Sequence, residues 1–126
     1  MSHKIVATDN APKAVGPYSQ GCIAGNLLFI SGQLPIDPAT NAMVSGDIKS
    51  ATRQCLKNVL AVAEAAGKSA HLVKVNIYLV DISQFALVNE AYAEFFPSEP
   101  PARACIEARR LPKDAPIEIE AIAYIA

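Results

Sequence analysis

From Ile117 the chain reads Ile-Glu-Ile-Glu-Ala-Ile-Ala, and this alternation constrains the fold more than any other stretch. Side chains on a strand point to opposite faces in turn, so Ile117, Ile119, Ala121 and Ala123 share an apolar face. Glu118 and Glu120 share the other. Upstream, Pro101-Ala102-Arg103-Ala104-Cys105 follows the same rule, with Arg103, Cys105 and Glu107 together and Ala102, Ala104 and Ile106 opposite. Each strand therefore has one face suited to a core and one that begins charged. A half-buried charge is costly unless it is paired or put to use, so chemistry is expected on these two strands.

The remaining chain supplies what such strands need to pack against. Lys4 to Thr8 reads as a short strand, and a loop through Pro12, Gly16 and Pro17 ends at Tyr18. Gly21 to Ala24 and Leu27 to Ser31 flank Gly25-Asn26, a two-residue hairpin signal. Gly32 marks a bulge or a close backbone approach. Pro35 to Gly46 is rich in turn formers and reads as a loop. From Asp47 to Ala66 the period lengthens to that of a helix, with Ile48, Thr52, Cys55, Val59, Val62 and Ala66 on one side and Gly67 as the stop. Leu72 to Val80 alternates again, with Val73, Val75, Ile77 and Leu79 on one face and Lys74, Asn76 and Tyr78 on the other. Ser83 reads as the N-cap of a second helix striped by Phe85, Val88, Tyr92 and Phe95 and stopped by Pro97. Two amphipathic helices cover only one face of a sheet. The other face is expected to carry Arg103, Cys105, Glu118 and Glu120 with Ile122 and Tyr124, a mixed surface that calls for a homo-oligomer to cover it.

With 126 residues and no linker, one domain spanning residues 1–126 is expected. Eleven basic residues against twelve acidic give a net charge of −1, and the longest basic run is Arg109-Arg110, a poor basis for binding nucleic acid. The three cysteines cannot all pair within the chain and read as reduced, and the N-terminus lacks the blocks of a signal peptide. With no apolar stretch near the ~20 residues of a membrane span, a cytoplasmic protein without membrane association is expected. His3 and His71 are isolated, no Cys or His recurs at ligand spacing, and no glycine-rich phosphate loop is found, so neither metal nor cofactor is expected.

Several side chains admit two readings. Arg103 is either a clamp for a substrate carboxylate or half of an ion pair with Glu118 or Glu120. Glu118 and Glu120 are either solvated strand residues or hold a general base that activates water. Cys105 is a small buried hydrophobe or a reactive thiol. Tyr18 offers a hydroxyl or anchors its loop by packing, and Ser31-Gly32 is an anion-binding turn or only a bulge.

Taken together, Gly16-Pro17-Tyr18, Ser31-Gly32-Gln33, Asn58 to Gly67, Phe85 to Phe96, Pro101-Ala102-Arg103, Leu111-Pro112 and Ile117-Glu118-Ile119-Glu120-Ala121 resemble the YjgF/YER057c/UK114 (Rid) family, and within it the RidA-type enamine/imine deaminases. The resemblance covers essentially the whole chain. It implies a chorismate-mutase-like α+β fold, a mixed six-stranded sheet with two helices on one face, and a homotrimer with sites between subunits. It further implies hydrolysis of 2-iminopropanoate and 2-iminobutanoate to 2-keto acids and ammonia without a cofactor. Arg103 is then expected to hold the carboxylate, assisted by the backbone around Cys105 and by Ser31 and Gly32. Glu118 handles the water, Tyr18 adds a hydroxyl, and Asn89 lines the cleft. The connection Pro97 to Pro100 is shorter than the usual RidA one, which bears on substrate size. The alternatives are a non-catalytic trimeric metabolite-binding or holdase protein and a translation-inhibiting endoribonuclease.

Overall fold

The computed structural model describes residues 3–44, 46–67 and 69–126. In chain order the elements are β1 (Lys4–Val6), β2 (Gly21–Ala24), β3 (Leu27–Gln33), β4 (Ile36–Asp37), β5 (Ala42–Met43), α1 (Ile48–Ala66), β6 (Ala70–Leu79), α2 (Phe85–Ala93), β7 (Ala102–Glu107) and β8 (Ile117–Ile125). The main sheet has six strands in the order β1-β2-β3-β8-β6-β7, and every pair is antiparallel except β6 with β7. A parallel pair needs a crossover, and α2 supplies it. The result is the expected α+β fold, a mixed six-stranded sheet backed on one face by two helices.

Local chemistry accounts for the element boundaries. Gly25 turns the β2–β3 hairpin with φ +61°, which glycine adopts without penalty. Asp47 caps α1 by accepting from the Ser50 backbone N–H at 2.7 Å, and Gly67 ends the helix with its N–H on the Glu64 carbonyl. The entry to α2 differs from expectation. Asp81, not Ser83, is the capping residue, accepting from both the backbone N–H and the hydroxyl of Ser83 and opening a 3-10 turn over Ile82–Gln84 before the helix proper. The segment from Pro35 to Gly46 also holds more than a loop, since β4 and β5 pair within it. Asn58, buried on α1, donates to the Leu34 and Ile36 carbonyls at 3.0 and 2.9 Å and so ties the chain leaving β3 to the helix.

One core lies between helices and sheet. Leu56, Val59 and Val62 of α1 and Val88 of α2 pack with Ile77, Leu79, Ile117 and Ile119, all essentially inaccessible to solvent. Each such aliphatic side chain contributes about 1.5–3 kcal/mol by leaving water. Lys49 with Glu90 and Arg53 with Glu94 bridge the two helices at 3.2 and 2.9 Å on the outer surface, where such pairs are worth little. Val73 departs from the alternation of its strand. The β6–β8 register shifts between Leu72 and Lys74, which leaves Val73 exposed while Leu72 packs against the core. The sheet's other face has no helix over it and exposes Leu27, Phe29, Ile106 and Tyr124.

Candidate active site

Two groups of polar residues stand out, on opposite faces of the sheet. The first is a cleft of about 490 Å³ at the end of β3 and β8, lined by Tyr18, Ser31, Gly32, Lys113, Glu118 and Glu120 among others. A bulge builds it. Ile30 pairs with Ala121 and Gln33 with Ile119, so β3 spends one residue more than β8 over the same span and Ser31-Gly32 is the irregular part. Ser31 secures the bulge to the loop before β2, its N–H on the Gln20 carbonyl at 2.9 Å and its hydroxyl on the Ser19 carbonyl at 2.5 Å. Gln20 holds that loop in turn. Its buried amide accepts from the Thr8 N–H at 2.7 Å and donates to the Pro12 carbonyl at 2.7 Å, closing the path that carries Tyr18 over the cleft.

Within this cleft the two carboxylates are not equivalent. Tyr78 of β6 donates its hydroxyl to Glu120 at 3.0 Å and holds that carboxylate in place. Glu118 has no such donor among the described residues. Burial raises its pKa above the ordinary carboxylate value, and the like charge of Glu120 raises it further. Glu118 is thus a proton-exchanging group in a cleft, the profile of a general acid or base.

The second group surrounds Arg103. On β7 it lies in register with Val75 of β6, and Cys105 with Ile77, so both side chains share the face of the core. This corrects the expectation that Arg103 and Cys105 share a face with Glu118 and Glu120. Alternation identified the residues on a common face, but the parallel pairing with β6 turns that face toward α2. The Arg103 guanidinium carbon sits 4.8 Å from the Tyr92 ring centroid and 5.4 Å from that of Phe85, a cation–π arrangement. The ion pair with Glu118 or Glu120 is not formed, and among the described residues Arg103 has no carboxylate partner. Phe85, Asn89 and Tyr92 follow one stripe of α2, and Asn89 Oδ1 and the Tyr92 hydroxyl are both buried without a hydrogen-bond partner among the described residues. Cys105 is half-buried, and burial raises its thiol pKa despite the opposing pull of Arg103, so the thiol, not the thiolate, prevails near neutrality.

The two groups cannot meet within one chain on one small ligand. Arg103 and Glu118 lie on strands flanking β6, opposite residues three apart, Val75 and Tyr78, which separates their backbones by ~14 Å in addition to placing them on opposite faces. Of the residues singled out in the sequence, Tyr18, Ser31, Gly32 and Glu118 are therefore together, and Arg103, Asn89 and Cys105 are together elsewhere. Tyr78, Gln20 and Tyr92 were not singled out as site residues. Tyr78 had a signal: it lies on the polar face of its strand and had only to be paired with β8.

Comparison with known proteins agrees with this architecture. Residues 8–125 match the endoribonuclease L-PSP family model. A RutC family protein of Pyrococcus horikoshii is 57% identical over 122 residues, covering 96% of this chain and 97% of that one. The 2-iminobutanoate/2-iminopropanoate deaminase of Salmonella typhimurium is 49% identical over 124 residues, covering 95% and 96%. Escherichia coli TdcF with bound serine superimposes with a TM-score of 0.91 at 39% identity, over 98% and 99% of the two chains. With the bulged β3 and the charged strands β7 and β8 set in a matching fold, the chain belongs to the endoribonuclease L-PSP family, also called the YjgF family.

Proposed function

We propose that this protein is an enamine/imine deaminase, hydrolysing small 2-imino acids such as 2-iminopropanoate and 2-iminobutanoate to 2-keto acids and ammonia. The observation that carries it is Arg103, a partly buried guanidinium stacked on two rings with no carboxylate partner among the described residues, beside two orphaned polar atoms. A planar fork held in this way suits a bidentate carboxylate from outside the chain. The deaminase name of the Salmonella typhimurium relative and the serine bound to Escherichia coli TdcF support a small ligand with one carboxylate next to nitrogen.

The site would be completed between subunits of a homotrimer. In this arrangement the Arg103 group of one subunit faces the Glu118 cleft of the next, and the exposed apolar side chains Phe29, Ile106 and Tyr124 are covered on assembly. Arg103 fixes the carboxylate, so that water meets the imine carbon in one orientation. The imine carbon is electrophilic once its nitrogen is protonated. Glu118 takes a proton from the attacking water as the C–O bond forms and returns it to nitrogen; the C–N bond then breaks as the carbinol O–H proton passes back to Glu118, leaving the keto acid and ammonia. Its raised pKa makes the carboxylate a better proton acceptor than an ordinary glutamate, as a group that takes and returns a proton needs. Tyr18, over the same cleft, offers a hydroxyl to the water or the nitrogen.

The test generates an imino acid with an amino-acid oxidase in the presence of semicarbazide and follows the semicarbazone. Wild type should lower the yield and Arg103→Ala should not. If wild type leaves the yield unchanged for short and long side chains alike, the deaminase reading is wrong.

A further inference from the structure

We propose that Gly32 is a positioning residue for Glu118: the missing side chain at the β3 bulge is what lets the Glu118 carboxylate lie against the backbone there. A β-carbon added to Gly32 would lie 2.5 Å from Glu118 Oε2, 2.9 Å from its Cδ and 3.2 Å from its Cγ. No other residue is among the three nearest atoms. The backbone does not demand glycine, because Gly32 is not among the residues with positive φ. Core packing does not demand it either, in contrast to Gly21, whose added β-carbon would meet Val62 and Leu28 at 2.9 and 3.2 Å. What remains is the close approach of one carboxylate. This deepens the deaminase reading, on which its catalytic consequence rests.

The neighbourhood shows why the seat matters. Toward Glu118 face Glu120 on its own strand, Tyr78 on β6, Tyr18 and Lys13 from the loop before β2 and Lys113 from the turn before β8, with Cys55 of α1 within electrostatic reach across the sheet. Tyr78 holds Glu120 by a hydrogen bond. Glu118 is held by shape alone, pressed into the space over Gly32. An obstructing methyl group meets the far end of a flexible side chain, so the fold can absorb it by moving the carboxylate out into the cleft. Displacement of a reacting group by ~1 Å costs about 100-fold in rate.

The experiment compares wild type, Gly32→Ala, Glu118→Ala and the double variant by thermal unfolding, imine hydrolysis and carbon-13 titration of the Glu118 carboxyl. Gly32→Ala is expected to remain folded, to lose roughly 100-fold in kcat/KM, and to titrate Glu118 at lower pH, because a displaced carboxylate is better hydrated. In the Glu118→Ala background the same substitution should cost less than about twofold, since residues acting as a unit are not additive. An unchanged Glu118 titration overturns the proposal, as does an equal loss in both backgrounds, which would give Gly32 a role of its own toward substrate. If Gly32→Ala does not fold, recovery of folding by adding Glu118→Ala supports the contact and failure to recover refutes it. The titration needs no turnover, so a Gly32-dependent titration in a protein that hydrolyses no imine retains the positioning and removes only the deaminase reading.

Discussion

The Glu118 cleft and the Arg103 group are built on different principles. The cleft is made by irregular backbone, a bulge in β3 and a loop stapled by Gln20, and the groups that frame it, Gln20, Ser31 and Glu120, have their hydrogen-bond partners within the chain. The Arg103 group is made by regular elements, one strand against one helix, yet among the described residues it leaves a guanidinium without a counter-ion and two buried polar atoms without hydrogen bonds. The first half is finished and the second is waiting. Buried polar groups are left unsatisfied rarely, because each costs about 1–3 kcal/mol, and the unfinished half is therefore where the proposed carboxylate and second subunit would bind.

The largest expected effect breaks the finished half. Glu118→Gln should lower kcat by about 100- to 10,000-fold, as removal of a general acid–base does. The same change should raise stability at neutral pH. The folded-state pKa of Glu118 lies above its unfolded value, so its favourable contribution is present at acid pH and lost as pH rises through the folded pKa. The gain in Tm over wild type should therefore shrink on acidification, and a constant gain between pH 4 and pH 7 (about the range over which carboxylates titrate) argues against a displaced pKa.

Arg103→Ala breaks the unfinished half. Truncating one partner of a desolvated charge pair costs about 2–5 kcal/mol, roughly 30- to 4,000-fold in kcat/KM. The fold should survive, since Arg103 makes no ion pair among the described residues, and Arg103→Lys should recover little because the fork is lost. An Arg103→Ala protein with wild-type kcat/KM in the semicarbazone assay sinks the clamp.

Mixing the two variants sharpens the comparison. Arg103→Ala and Glu118→Gln are each expected to be strongly impaired alone. If each site takes Arg103 from one subunit and Glu118 from its neighbour, refolded mixtures hold about one quarter intact sites and should regain about that fraction of wild-type activity. No recovery in a verified mixed assembly places both groups in the same subunit and contradicts the intersubunit site.

The smallest effect concerns the partner carboxylate. Glu120→Gln removes the like charge that adds to the rise of the Glu118 pKa, so the acid limb of the pH–rate profile should move to lower pH. The move should be modest, because burial is the larger cause. A limb that stays in place would mean that the charge of Glu120 does not act on Glu118.

Much of this was legible in the chain before any pairing was known. The alternation from Ile117 to Ala123 corresponds to β8, with its core face assigned correctly, and the spacing from Ile48 to Val62 identified the buried face of α1. Gly32 was marked as a bulge or a close approach, and it is both. The small β4–β5 hairpin was not legible, because strands of two residues have no period to detect. Val73 was misassigned because a bulge shifts the phase of alternation by one without a compositional cue.

The sequence by itself determined the elements, the residues sharing each face and the family, because these depend on local period and residue identity. Only the tertiary structure decided which face of β7 meets the helices. A period of two sorts side chains into two sets but is silent on which set turns inward, and that choice comes from the parallel pairing of β7 with β6 through α2. That pairing sends Arg103 to the face opposite Glu118, and so divides between two surfaces a site that the linear order had placed on one.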